Sequence, residues 1–192
     1  VRWDEHAWAS AELLRKAATA IPADAVAAAA AAIAASLEAG GALYTCGNGG
    51  SAADAMHIAA ELVGRFRRER PGLRAMALCA DPAFLTAWGN DHAFDDVFAR
   101  AIQAWGRPGD VLLGLTTSGR SRNVLAAFAR ARAAGLVTVA LTGEGGAALA
   151  GAVDHLLLVP SPDTALVQQV HIALYHVLCG CIEERLSGES PR

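Results

Sequence analysis

Two short runs in the sequence carry residue types suited to holding an anion. Gly47-Asn48-Gly49-Gly50-Ser51 follows an apolar run and leads into a helical pattern. Glycines there let backbone N–H groups approach a ligand, and the helix start adds a favourable dipole. Thr116-Thr117-Ser118-Gly119-Arg120-Ser121 repeats the arrangement with four hydroxyls. It lacks the lysine and spacing of a P-loop, so one terminal phosphate on a small metabolite suits it better than a nucleoside triphosphate. Gly47-x-Gly49-x-x-Ala52 also matches a dinucleotide fingerprint, but that motif wants an acid about 20 residues on, where this chain has Arg67-Arg68. A tight turn or a helix cap accounts for either run alone. Two in one chain are harder to dismiss.

His57 and Glu61 stand four apart on the helical pattern that begins at Ser51, so they share one face. Such a pair can ligate a metal, act as acid and base, or form a partly buried ion pair. The last helical stretch carries Gln168, Gln169, His171 and His176. Spacing alone pairs Gln168 with His171; Gln168 and His176 lie about 12 Å apart along a helix axis. A histidine on an apolar helix is usually a satisfied core residue, so spacing does not choose between the two. Arg65-Phe66-Arg67-Arg68-Glu69-Arg70 is the one basic cluster, and at a helix C-terminus it reads as a solvated face that complements the dipole. Asn90-Asp91, after Trp88-Gly89, reads as part of a turn.

The elements that must position these groups follow from periodicity. Helical patterns cover residues 4–20 and 24–37, broken by Pro22 and ended by Gly40-Gly41. Short apolar runs at 42–46, 73–79, 111–115, 137–141 and 155–159 read as buried strands. Between them lie helical stretches at 51–66, a broken one at 82–105, 122–134 and 146–150, and a last helix at 163–186. Alternating strands and helices imply parallel pairing through right-handed crossovers, hence an open, doubly wound sheet of five strands in one domain. Ligands of such sheets bind beyond the carboxyl ends of the strands, where both anion-type runs fall.

Composition narrows the function. With 192 residues and a net charge of −3, the chain lacks the basic excess that nucleic-acid binding normally shows. No run of 18 apolar residues escapes a charge or a breaker, so no membrane span is expected. The opening Val-Arg-Trp-Asp-Glu-His lacks a signal-peptide layout. Cys46, Cys79, Cys179 and Cys181 fit no zinc-finger spacing and read as reduced thiols of a cytoplasmic protein.

Taken together, Gly47-Asn48-Gly49-Gly50-Ser51, Asp54-Ala55-Met56-His57, Glu61-Leu62, Asn90-Asp91, the 109–114 run, Thr117-Ser118-Gly119-x-Ser121 and Gln168-x-x-His171 with His176 resemble the phosphoheptose isomerases of the sugar-isomerase (SIS) domain family. The resemblance covers nearly the whole chain. It implies a single SIS domain over 1–192, an α/β three-layer αβα sandwich of flavodoxin-like type with a five-stranded parallel sheet, preceded by N-terminal helices over 1–40. It also implies a homotetramer with sites at subunit contacts. The reaction implied converts D-sedoheptulose 7-phosphate to D-glycero-D-manno-heptopyranose 7-phosphate. By residue matching, Asn48, Gly49, Gly50, Ser51, Asn90, Asp91, Glu61 and Gln168 would contact the sugar phosphate, and Thr116, Thr117, Ser118 and Ser121 would hold its phosphate. Glu61 and His176 match the family's acid–base residues. His57, Glu61, Gln168 and His176 match the ligands of members that carry zinc, one ion per subunit.

Several positions depart from the pattern. Leu166 and Gln169 stand where an arginine and an acid flank the glutamine, Ala165 where some members have aspartate, Thr116 where serine is common, and Arg120 where asparagine often sits. Rival readings are a non-catalytic SIS scaffold that binds a replication initiator protein, and a sugar-phosphate sensor. The titratable set in the cleft argues against the first. The absence of a basic DNA-binding module argues against the second.

Overall fold

The computed structural model describes residues 2–187, so the two ends of the single domain expected over 1–192 lie outside the described residues. Helices α1 (Trp3–Ala20) and α2 (Ala23–Glu38) come first, bent by 82° at the break between them, where Pro22 stands. Then follow β1 (Leu43–Cys46), α3 (Gly50–Val63), β2 (Ala75–Ala77), α4 (Pro82–Asp91), α5 (Val97–Trp105) and β3 (Val111–Thr116). The chain closes with α6 (Arg122–Ala133), β4 (Val137–Gly143), a 3-10 turn (Glu144–Leu149), β5 (His155–Val159) and α7 (Thr164–Leu186). All five expected strands form, the second trimmed to three residues.

The strands pair in parallel in the order β2-β1-β3-β4-β5. Strand direction alternates the side chains between two apolar layers. Leu43, Val111, Leu113, Leu115, Val139 and Leu141 pack against α1, α2, α3 and α7. Tyr44, Cys46, Leu112 and Ala140 pack against α5 and α6. Both faces are covered, which is why these strands read as continuous apolar runs rather than as alternating ones. The expected three-layer α/β sandwich is therefore the observed one.

The strand order sets where a ligand can sit. From β1 the chain crosses to β2 on one side, and from β2 it returns to β3 on the other, so the loops after β1 and β3 diverge and leave a crevice. Those loops are the two anion-type runs.

Helix α7 is long and apolar enough, by length and composition, to cross a membrane. The run-based reading passed over it because Gln168, Gln169, His171 and His176 interrupt it. Here its Val167, Val170, Tyr175, Leu178, Cys179 and Ile182 are buried in the layer shared with α2 and α3.

Candidate active site

The loop after β1 turns through Gly49, whose φ of +55° suits a residue without a side chain. Ser51 N–H then donates to the Asn48 carbonyl at 3.0 Å. Asn48 is locked by a reciprocal amide pair with the buried Asn123 of α6, both bonds at 2.8 Å. That pair ties the start of α3 to the start of α6. Sequence reasoning missed Asn123, whose partner lies 75 residues away.

The loop after β3 is equally constrained. Thr116 Oγ1 and Ser121 Oγ are 3.0 Å apart, and Ser118 Oγ accepts from the Arg120 N–H at 3.2 Å. Gly119, at φ +66°, lies so close to Gly145 and Gly146 that a Cβ would collide with their backbone. Thr117 Oγ1 donates to Thr164 Oγ1 at the start of α7, 3.3 Å away. Gln168, one turn on, packs its amide against Gly50, where a Cβ would push that amide aside. The N-termini of α3, α6 and α7 thus meet at the carboxyl edge of the sheet. Helix starts concentrate unpaired N–H groups and positive dipole ends, so an anion is favoured there.

Two turns along α3 lies a second cluster. His57 Nε2 is 2.9 Å from Glu61 Oε1. One ligand atom each from His57, Glu61 and His176 all lie within 4.8 Å of one another. The structure thus brings His176, and not His171, into this cluster, a placement that spacing left open. His176 stacks on Phe66, ring centres 5.4 Å apart, and meets His57 edge-on at 5.3 Å. His171 is fully buried, neither ring nitrogen has a hydrogen-bond partner among the described residues, and burial pushes its pKa down to about 4.

Behind the cluster stand two residues to which sequence reasoning gave no role. Tyr175 Oη is 2.8 Å from His57 Nδ1 and 3.4 Å from Asp54 Oδ1. Asp54 precedes His57 by one helical turn, a spacing that could have flagged it. Burial pushes the Asp54 carboxyl up, against the pull of Tyr175 and His57; burial and then Asp54 push the Tyr175 phenol up further.

The basic run corrects a sequence-level expectation. The Phe66, Arg67 and Arg68 N–H groups all donate to the Glu183 carboxylate, at 2.7–3.2 Å. Arg70, its side chain only 4% exposed, lies 3.2 Å from Glu183 and caps α3 by donating to the Glu61 and Leu62 carbonyls. Arg65, Arg67 and Glu69 do form a solvated face, but the backbone of 66–68 and the Arg70 side chain make the segment a staple as well. It holds Phe66 against His176.

Asn90 and Asp91 also depart from expectation. They form the last turn of α4 rather than a loop, are exposed, and hydrogen-bond each other at 2.9 Å. Helix α4 packs chiefly on α5 and the 3-10 turn at Phe94–Asp96, on the far side of the sheet from α7. The fold of one chain does not bring these two residues to the His57–Glu61–His176 cluster.

Comparison with known proteins agrees with this arrangement. Residues 8–143 match the SIS domain family model. A phosphoheptose isomerase from Rhodospirillum rubrum is 52% identical over 85% of this chain and 87% of its own length. One from a Roseiflexus species is 54% identical over 78% of this chain and 76% of its own. The solved phosphoheptose isomerase GmhA from Neisseria gonorrhoeae is 41% identical, covers 94% of this chain and 96% of that one, and superposes with a TM-score of 0.88. Two anion cradles at the switch point, a histidine–carboxylate cluster beside them and likeness along most of the chain place it in the SIS domain family, among the phosphoheptose isomerases.

Proposed function

We propose that the chain converts D-sedoheptulose 7-phosphate to D-glycero-D-manno-heptopyranose 7-phosphate. The observation that carries this reading is the pairing of an anion cradle with an acid–base cluster on the same two helices. From Gly50 to His57 is about 10 Å along α3, a separation of the order of an extended seven-carbon chain with a terminal phosphate. The backbone N–H groups of Gly49 and Gly50 and the hydroxyls of Thr116, Thr117, Ser118 and Ser121 take the phosphate. Asn48 and Gln168 take sugar hydroxyls.

Isomerisation moves one proton between C1 and C2 through an enediol(ate), and needs a base at carbon and an acid at oxygen. Glu61 removes a proton from C1 as His176 gives one to the C2 carbonyl oxygen. Glu61 then returns its proton to C2 while His176 takes the proton of the C1 hydroxyl, leaving an aldehyde that closes to the pyranose. The net charge of the pair is restored after each turnover.

Two imidazoles and a carboxylate, converging within 4.8 Å, are the donor set that zinc prefers. His57, Glu61 and His176 would hold it, with Gln168 as the fourth ligand that the family resemblance implies. A bound cation would polarise the C1 and C2 oxygens and hold developing negative charge. Glu61 meets His57 through one oxygen, which leaves the other for the proton. The exposed Asn90 and Asp91 reach substrate across a subunit contact of the homotetramer that the resemblance also implies.

Incubation with sedoheptulose 7-phosphate in D2O, with and without zinc, tests the reading by NMR. Conversion with deuterium at C2 is expected, and Glu61→Gln should lower turnover at least about a hundredfold while phosphate binding persists. No conversion by a folded protein that still binds the sugar phosphate would favour a scaffold or sensor instead.

A further inference from the structure

We propose that Asp54 and Tyr175 form a positioning pair that sets which nitrogen of His57 is free to bind a cation. The inference rests on the metal reading of the cluster given above. It concerns where hydrogen atoms sit on neutral groups and needs no change of charge.

The geometry offers His57 two hydrogen-bonding states. Nε2 faces the Glu61 carboxylate at 2.9 Å, and Nδ1 faces the Tyr175 hydroxyl at 2.8 Å. A neutral imidazole has one N–H and one lone pair. Without a cation, Nε2–H donates to Glu61 and the lone pair of Nδ1 accepts the Tyr175 O–H. A cation on Nε2 needs the lone pair there, so the ring proton moves to Nδ1 and donates to the Tyr175 oxygen. The phenol O–H must then find another acceptor. Asp54 Oδ1 stands 3.4 Å from it, and Asp54 Oδ2, buried, has no partner among the described residues.

A tyrosine hydroxyl suits this position because it both donates and accepts and can rotate between His57 and Asp54. Phenylalanine would fill the same volume, as Tyr175 is 1% exposed, but would leave Nδ1 without a polar neighbour in the metal-bound state. Groups that orient a ligating histidine through its other nitrogen typically contribute 10- to 100-fold in metal affinity. Asp54, His57 and Glu61 lie on successive turns of α3, and Tyr175 enters from α7, so the pair also fixes the rotation of His57 toward His176.

The test is zinc affinity by chelator competition in the full chain, with 15N NMR of the His57 ring as a second readout. Wild type is expected to show the Nε2–H form without metal and the Nδ1–H form with it. Tyr175→Phe should weaken zinc binding about 10- to 100-fold with little change in thermal stability. Asp54→Asn, which keeps an acceptor for the phenol, should lose less than Asp54→Ala. The Tyr175→Phe/Asp54→Ala double variant should lose little more than Tyr175→Phe alone, because the two act as one unit. Zinc uptake by wild type with unchanged affinity in Tyr175→Phe, or additive losses in the double variant, would overturn the inference and spare the metal reading. No zinc uptake by wild type would remove both.

Discussion

At the scale of single residues, the last helix poses the sharpest contrast. His171 and His176 are five apart and chemically identical, yet one is sealed and the other lines the cluster. Residue types and spacing could name both histidines but not separate them, because the choice depends on which face of α7 meets α3 and which meets β4. The family resemblance supplied His176, and the contact with Phe66 and His57 gives the physical reason. The sealed histidine has a consequence for stability. Its folded pKa, about 4, lies below the ordinary 6.5, so the unfolded chain binds more protons between those values and stability rises with pH across that window. The gap is worth roughly 3 kcal/mol when fully developed. Urea titrations at pH 6.5, 5.5 and 4.5 should show a steady loss of stability as pH falls, and His171→Leu should flatten it. An unchanged slope in that variant would show that the loss arises elsewhere.

At the scale of elements, the strands and most helices were legible because local patterns and turn residues agree with the final packing. The exceptions have separate causes. The run at 65–70 was read as solvated because its acceptor, Glu183, lies more than 110 residues away. The end of α4 was read as a turn because Trp88-Gly89 interrupts the pattern, whereas the Trp88 indole is held by Asp96 at 2.9 Å and by a tilted ring contact with His92. A bond from far along the chain decided the first, and contacts within eight residues decided the second. The staple at Glu183 makes a prediction at this scale. Removing its carboxylate strands Arg70, whose side chain is 4% exposed, and frees three backbone N–H groups, so Glu183→Ala should cost about 3–5 kcal/mol. Because Phe66 loses its anchor beside His176, turnover should fall with it. Burial raises the Glu183 pKa, but the N–H groups of residues 66–68 and then Arg70 pull it below its ordinary value. Its contribution is therefore complete above the unfolded carboxylate range and is lost as pH drops through the folded pKa. Calorimetry on the wild type and Glu183→Ala below pH 4.5 should show their melting temperatures converging; a constant gap would assign the loss to packing alone.

At the scale of the whole molecule, α7 presents apolar residues on more than one side. Its inner face packs on the sheet, but Val177 is 52% exposed, and with Leu14, Ala18, Ile21, Ala173 and Cys181 it lines a groove of about 300 Å³. Trp3 and Trp8 on α1 are also largely exposed. A helix apolar nearly all round is normally covered, and contiguous exposed apolar surface of this kind marks an interaction site. Two covers are physically open, lipid or another copy of the chain. The copy is favoured by the site itself. Asn90 and Asp91 sit on the opposite layer from His57, Glu61 and His176, so they can meet a substrate there only if it lies between two chains. Light scattering should therefore give a mass above that of one chain, that of a homotetramer if the family resemblance extends to assembly, and Val177→Glu, which places a charge in the groove, should shift it to smaller species. Turnover should fall in step with the loss of that assembly while the circular dichroism of each chain is retained. A monomer with undiminished isomerase activity would show that one chain completes the site unaided, and would remove Asn90 and Asp91 from it.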